Sequence, residues 1–201
     1  VTNENYLQAP LVKGSEDGIL KGMYLFESFK PKGRGKKSHV QLLGSGAILN
    51  EVRAAAKLLL DEFGIGSDVW SVTSFNELAR DGQKVVRWNM LNPEKQQKLS
   101  YVETCFKGRE GPAIASTDYI RLYSDQIRAY MPCEYTVLGT DGFGRSDTRE
   151  KLRQFFEVDR YHVVVAALDA LRHSGEVDVS VVMDAIRKFD IDRNCLSPMQ
   201  R

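Results

Sequence analysis

Apolar positions follow two alternating patterns along the chain. Short runs bounded by glycine or polar turns have the rhythm of strands, and longer stretches in which apolar residues recur every three or four positions have that of helices. Gly22 to Phe29 is rich in aromatic and apolar residues and reads as a strand; the following loop at 30–37 has five basic residues in eight and no acid. His39 to Leu43 predicts a second strand and Gly44-Ser45-Gly46 a turn, after which Ile48, Leu49, Val52, Ala56, Leu59, Leu60 and Phe63 mark a helix that Gly64 closes. Asp68 to Thr73 predicts a third strand, Phe75 to about Asn89 a weaker helix or an irregular segment, and Pro112 to Ser116 a short fourth strand. Asp118 stands where an N-cap belongs, ahead of a stripe of Ile120, Tyr123, Ile127, Tyr130 and Met131 that ends before Pro132. Tyr135 to Gly139 predicts a fifth strand, and Asp147 with Glu150 starts a helix in the manner of a capping box. Two further helices follow. One carries Val164, Ala167, Leu168 and Leu171 and stops near Gly175; the other starts at Asp178 and buries Val181, Val182, Ala185, Ile186 and Phe189.

Strands alternating with helices imply crossover connections, which place helices on both faces of a mainly parallel sheet. The expected fold is therefore α/β, three layers in the order α/β/α, with the first strand as the antiparallel exception. In open sheets of this kind ligands favour the carboxyl ends of the strands, so the loops 44–46, 73–77, 116–118 and 139–146 are where chemistry is to be sought. No internal repeat interrupts the pattern.

Composition narrows the function classes. The 201 residues suffice for a sizeable core, and 28 basic against 27 acidic residues leave a net charge of +1. A near-neutral chain has no field to steer polyanions, which argues against a dedicated nucleic-acid binder. No apolar run approaches the roughly 18 residues of a membrane span. Cys105, Cys133 and Cys195 lack the close spacing of a zinc site, so they read as reduced, mostly buried thiols of a cytoplasmic protein. The chain opens at Val1 with a polar extended stretch, not with a basic region and an apolar core, so it reads as a cut inside a longer chain and not as a signal peptide.

Motifs with their own chemistry are scarce. Gly44-Ser45-Gly46 follows a strand and precedes a helix, but the third glycine of a dinucleotide fingerprint would fall at Leu49, and the next strand ends in Thr73-Ser74 instead of a ribose-binding acid. Ser45 lacks the Gly-x-Ser-x-Gly spacing of a nucleophile elbow. His39 opens a strand, His162 lies near the start of a helix, and His173 lies near that helix's C-terminal end, where the helix dipole favours a cation. The densest local signal is Gly139 to Asp147. Two glycines, at 142 and 144, free the backbone while Asp141, Phe143, Arg145 and Ser146 present varied side chains at a strand's carboxyl end. Two readings stay open: a tight capped loop, or a docking surface in which Phe143 anchors and Arg145 pairs with a carboxylate or phosphate.

From this loop a resemblance emerges. The run Gly-Thr-Asp-Gly-Phe-Gly-Arg-Ser-Asp-Thr-Arg-Glu at 139–150, continued at 155–159 and 163–167, resembles the C-terminal domain of the bacterial homodimeric pyruvate dehydrogenase components. Further matching blocks lie at 14–22, 40–46, 68–78, 87–89 and 115–119, so the resemblance spans nearly the whole chain. It implies one transketolase-type C-terminal domain over 1–201, with 1–18 as a linker from a preceding domain. It also implies a full-length oxidoreductase that decarboxylates pyruvate on thiamine diphosphate with Mg and passes the acetyl group to lipoyl on a dihydrolipoyl acetyltransferase core. No motif that grips the cofactor matches here, so the resemblance assigns no catalytic, cofactor-binding or metal-binding residue to this chain, and an isolated piece would be inactive. The implied partners are the chain's own N-terminal and middle domains and the second subunit of a homodimer, with Asp141, Phe143 and Arg145 as interface candidates. The same blocks leave open a related 2-oxo acid dehydrogenase or transketolase-like enzyme, and the sheet edge leaves open a nucleotide-binding or partner-binding module. Departures from the family lie in the basic loop 30–37 and in the polar stretch from Asn92 to Lys98.

Overall fold

Five strands form one sheet in the order β1-β3-β2-β4-β5, and the computed structural model describes residues 9–32 and 38–201 of the chain around it. Strands β2 (His39–Ser45), β3 (Gly66–Val72), β4 (Ala113–Ser116) and β5 (Tyr135–Leu138) run parallel; β1 (Met23–Phe29) lies antiparallel on β3, as the pattern predicted. β1 carries a bulge between Leu25 and Glu27. Residues 33–37 of the expected basic loop lie outside the described residues, as do residues 1–8 of the expected linker.

Alternation along the strands sorts their side chains into two cores. Val40, Leu42, Val69 and Ile114 point to the face covered by α2 (Leu49–Phe63), α7 (Arg160–His173) and α8 (Val179–Lys188), where Val52, Leu59, Val164 and Leu168 meet them. Leu43, Trp70, Ala115 and Val137 point to the opposite face, covered by α3 (Phe75–Leu91), α4 (Tyr101–Phe106) and the segment around Ile127. Three layers therefore form around β2, which is buried on both faces. Each fully buried leucine here, such as Leu42 or Leu59, contributes about 2 kcal/mol by leaving water.

Three local expectations change, and two helices appear that the pattern does not flag. The segment after β3 is a regular helix of 17 residues, capped by Ser74, whose hydroxyl accepts from the Glu77 amide at 3.2 Å. The stripe from Ile120 to Met131 is not one helix but α5 (Arg121–Asp125) followed by a single 3-10 turn at Arg128–Tyr130. The reason is the Tyr135 hydroxyl, which donates to the Ser124 carbonyl at 2.9 Å, the acceptor a continuous helix would offer to the Arg128 amide. α6 (Arg149–Phe155) is capped by Thr148 instead of Asp147; the Asp147 carboxylate accepts from the Thr148 amide at 2.7 Å. Finally, α1 (Glu16–Lys21) begins inside the stretch read as a linker, and α4 starts at a full capping box of Ser100 and Glu103 that the pattern does not flag.

Two buried carboxylates tie these parts together. Glu51 of α2 accepts from Arg153 of α6 at 2.8 Å and from Arg160 of α7 at 2.9 Å. Burial alone would push its pKa up; the hydrogen bonds and charge of Arg160, with Arg153, outweigh this and hold it below the ordinary 4.5. Asp68 of β3 accepts from Ser28 at 2.6 Å, Gln41 at 3.2 Å and Arg109 at 2.8 Å, with His39 at 3.4 Å. Gln41 in turn accepts from the Trp70 indole at 2.9 Å. Burial raises the Asp68 pKa, but donors from His39, Ser28, Arg109 and Gln41 together hold it well below the usual carboxylate range.

A carboxylate with a depressed folded pKa contributes stability that is complete above its unfolded value and is lost as pH falls through the folded one. Asp68→Asn is expected to cost about 3 kcal/mol at neutral pH, because Arg109 and His39 lose the charge they face. Urea unfolding followed across acidic pH tests this. The wild type should lose stability progressively below its ordinary carboxylate pKa of 3.8, and the variant should lose correspondingly less.

Candidate functional site

The carboxyl ends of β2 and β4 are neighbours whose outgoing chains diverge to opposite faces, β2 into α2 and β4 into α5. This reversal of strand order is where open α/β sheets hold ligands. Here the crevice is occupied by the chain itself. The Ser45 and Thr117 hydroxyls hydrogen-bond each other at 2.7 Å, and a Cβ placed on Gly46 would stand 3.5 Å from Asp118 Oδ1. Asp118 therefore does not cap α5; its carboxylate sits beside the start of α2, where a phosphate would have to lie. Gly44 takes up the close helix contact that a third fingerprint glycine would otherwise provide. A Cβ there would lie 2.8 Å from Leu49 Cα, so α2 rests directly on the strand. These groups do not fit a diphosphate and its magnesium ion, and among the described residues no group of three or more His, Cys, Asp or Glu could hold a metal ion.

Farther along the same edge the loops after β4 and β5 lock together. Asp141 accepts from the Arg121 backbone amide at 3.0 Å and pairs with its guanidinium, so it caps α5 from another loop. The Thr140 amide donates to the Tyr119 carbonyl at 2.9 Å and its hydroxyl to the Asp118 carbonyl at 2.9 Å. On this scaffold large apolar side chains stand in solvent: Phe143 is 88% exposed, Leu122 70% and Tyr119 63%, and the Tyr119 and Tyr123 rings lie 5.4 Å apart. Arg145 lies with its guanidinium 4.2 Å from the centre of the Phe155 ring.

Of the three interface candidates in this loop, Asp141 is thus structural support, Phe143 is presented outward, and Arg145 stacks on its own chain while remaining exposed. Tyr119, Leu122 and Tyr123 do not stand out as a site in the sequence, because Tyr123 belongs to the stripe that periodicity assigns to a helix core. The signal that separates them is the adjacent pair Tyr119-Ile120, two large apolar residues directly before a short helix. α1 reaches the same edge: Met23 pairs with Val72 at the end of β3, and the Thr73 hydroxyl donates to the Ile19 carbonyl at 2.8 Å.

Groups with potential reactivity elsewhere have plain partners. His39 faces Asp68; His162 Nδ1 lies 2.8 Å from Asp159, which also caps α7; and His173 lies 3.2 Å from Glu134. Burial pushes the Cys133 thiol up to about 11 and raises that of Cys105. The three thiols, expected to be mostly buried, are not: Cys105 and Cys133 are half-buried, and Cys195 is exposed in the segment after α8. Among the described residues no helix is long and apolar enough to cross a membrane.

Comparison with known proteins adds identity to this geometry. The family model described as transketolase-like TK C-terminal domain matches residues 22–159. The chain is 60% identical over 200 residues to a pyruvate dehydrogenase E1 component of Pseudomonas aeruginosa, covering 99% of this chain and 22% of the relative. It is 53% identical over 197 residues to the protein of that name from Escherichia coli K12, covering 98% and 22%. The chain thus spans about a fifth of the length of these relatives. Among solved structures, a transketolase of Pichia stipitis in complex with sedoheptulose 7-phosphate superposes with a TM-score of 0.51 at 18% identity, covering 84% of this chain and 21% of that one. That likeness supports the three-layer fold.

Asp141→Ala is expected to loosen the edge locally. Loss of the cap and pair should cost about 1 kcal/mol, with faster hydrogen exchange confined to residues 119–125. Asp141→Asn, whose amide oxygen still accepts from the Arg121 backbone, should cost less; equal losses in the two variants would show that the ion pair, not the cap, carries the effect.

Proposed function

The chain belongs to the transketolase-like C-terminal domain family, and from that premise we propose that it is the C-terminal domain of a cytoplasmic, thiamine diphosphate-dependent pyruvate dehydrogenase component. The whole protein, in this reading, decarboxylates pyruvate and transfers the acetyl group to lipoyl on a dihydrolipoyl acetyltransferase core. Identity of 60% and 53% to two proteins named for that component, over almost all of this chain, supports the assignment. Thiamine diphosphate and Mg belong to parts of the protein outside these residues, since the sheet edge that would receive a phosphate is filled by Ser45, Thr117 and Asp118.

The domain itself supplies a contact face to the neighbouring domains and to the second subunit of a homodimer. One observation carries this: Tyr119, Leu122, Tyr123 and Phe143 stand exposed on the carboxyl edge, the same edge at which α1 feeds the chain into the sheet. Aromatic side chains held outward on a braced loop are the kind of anchor that fills pockets in a protein partner. A chain that enters at this edge also brings whatever precedes it to the same side. Phe143 then acts as anchor and Arg145 as the rim charge facing a carboxylate.

Two measurements test the reading. Calorimetry of the 201-residue chain with thiamine diphosphate and magnesium should show no saturable heat, and micromolar binding would overturn it. Arg145→Ala in the intact protein should weaken domain or subunit association more than it slows the chemical step. Unchanged association with a collapsed single-turnover rate would reverse the role assigned to the loop.

A further inference from the structure

Building on the reading of loop 139–147 as a docking element, we propose that residues 197–201 form a strap that holds this loop in shape, with Arg201 as its positioning residue. The chain after α8 contains neither helix nor strand; its own bonds are turn contacts such as Gln200 N to Ser197 O at 2.8 Å. Among its contacts with the rest of the molecule, one is with the docking loop itself and one is with the end of α6, on which that loop also leans. At the first, Gly142 has φ +113°, and a Cβ there would lie 2.8 Å from the Pro198 carbonyl oxygen, so the strap's main chain crosses the loop at a distance only glycine permits. At the second, Arg201 donates to Glu157 at 3.1 Å and places its guanidinium 4.9 Å from the centre of the Phe155 ring, the ring on which Arg145 also lies. Phe155 thus serves both the docking loop and the strap.

The charges at this joint are coupled. Two guanidiniums on one ring repel, and Glu157, at the end of α6, offsets one of them. An open cavity of about 300 Å³, lined by Lys151, Gln154, His162, Ile191 and Cys195 among others, reaches Arg201, so apolar packing does not close around this end of the strap. A segment held by a few polar and stacking contacts opens locally at far lower cost than the sheet unfolds. Release of the strap would free Gly142 and Arg145 together and change the surface that carries Phe143, while β2 and β4 stay intact.

Hydrogen exchange followed by mass spectrometry on the intact protein reads this directly. Arg201→Ala and Glu157→Gln should each speed exchange at 140–147 by roughly tenfold while leaving the amides of β2 and β4 unchanged. The double variant should add little to either single one, and Arg201→Lys should restore most of the protection. Raising the salt concentration should speed exchange in the wild type but not in Arg201→Ala. Unchanged exchange at 140–147 in both single variants would overturn the strap. Faster exchange with weakened association supports strap and docking alike; faster exchange with undiminished association leaves the strap standing and removes the docking role.

Discussion

Asp68 is a carboxylate near the amino-terminal ends of the parallel strands, and donors from three separate segments converge on it: Ser28 from β1, His39 and Gln41 from β2, and Arg109 from the connection leading to β4. A buried charge is tolerated only when its hydrogen bonds are supplied in full. These donors meet it only if β1 lies antiparallel on β3, β2 lies parallel beside it, and the chain before β4 passes underneath. One electrostatic requirement therefore ties together the placement of β1, β2 and β3 and the approach to β4. The Trp70 indole, bonded to Gln41 and stacked on Phe106 at 5.4 Å, carries the constraint from the polar network into the core beneath α4.

Closing one edge of the sheet in this way leaves the other to the loops. At the amino edge Asp68 and Gln41 find their partners on strands and their immediate neighbours. At the carboxyl edge the contacts run from loop to loop: Ser45 to Thr117, Thr140 to Tyr119, Asp141 to Arg121. A fold that elsewhere offers this edge to ligands here ties several of its hydroxyls and carboxylates to neighbouring loops, while Tyr119, Leu122 and Phe143 stand outward beside Arg145. The division fits the contact face proposed for this edge.

Most of the fold is legible in the sequence because its periods are clean. β2, α2 and β3 follow one another with glycines at their ends, and α7 and α8 carry unambiguous apolar stripes. α3 reads as weak because its buried face uses Ala79 and Gly82 while Val86, Met90 and Leu91 point to solvent; the small residues admit the Tyr130 ring, a tertiary fact without local trace. The helix expected through Tyr130 is broken by a hydroxyl from Tyr135, which periodicity cannot see. The loop 139–147 is visible as a concentration of glycine and mixed side chains, yet the division of labour within it is not. Asp141 is spent inside the molecule only because Arg121, 20 residues earlier, folds back to meet it.

The two margins of the sheet carry a consequence of a different kind. β5 is only four residues long, and β1 is interrupted by its bulge and carries Glu27, paired with Arg53. A flat, unbroken margin would accept another strand, from a partner or from a second copy, as an extension of the ladder. Neither margin here offers that template. A neighbouring strand would meet a short or broken ladder at either margin, so the sheet is poorly suited to grow by edge-to-edge pairing.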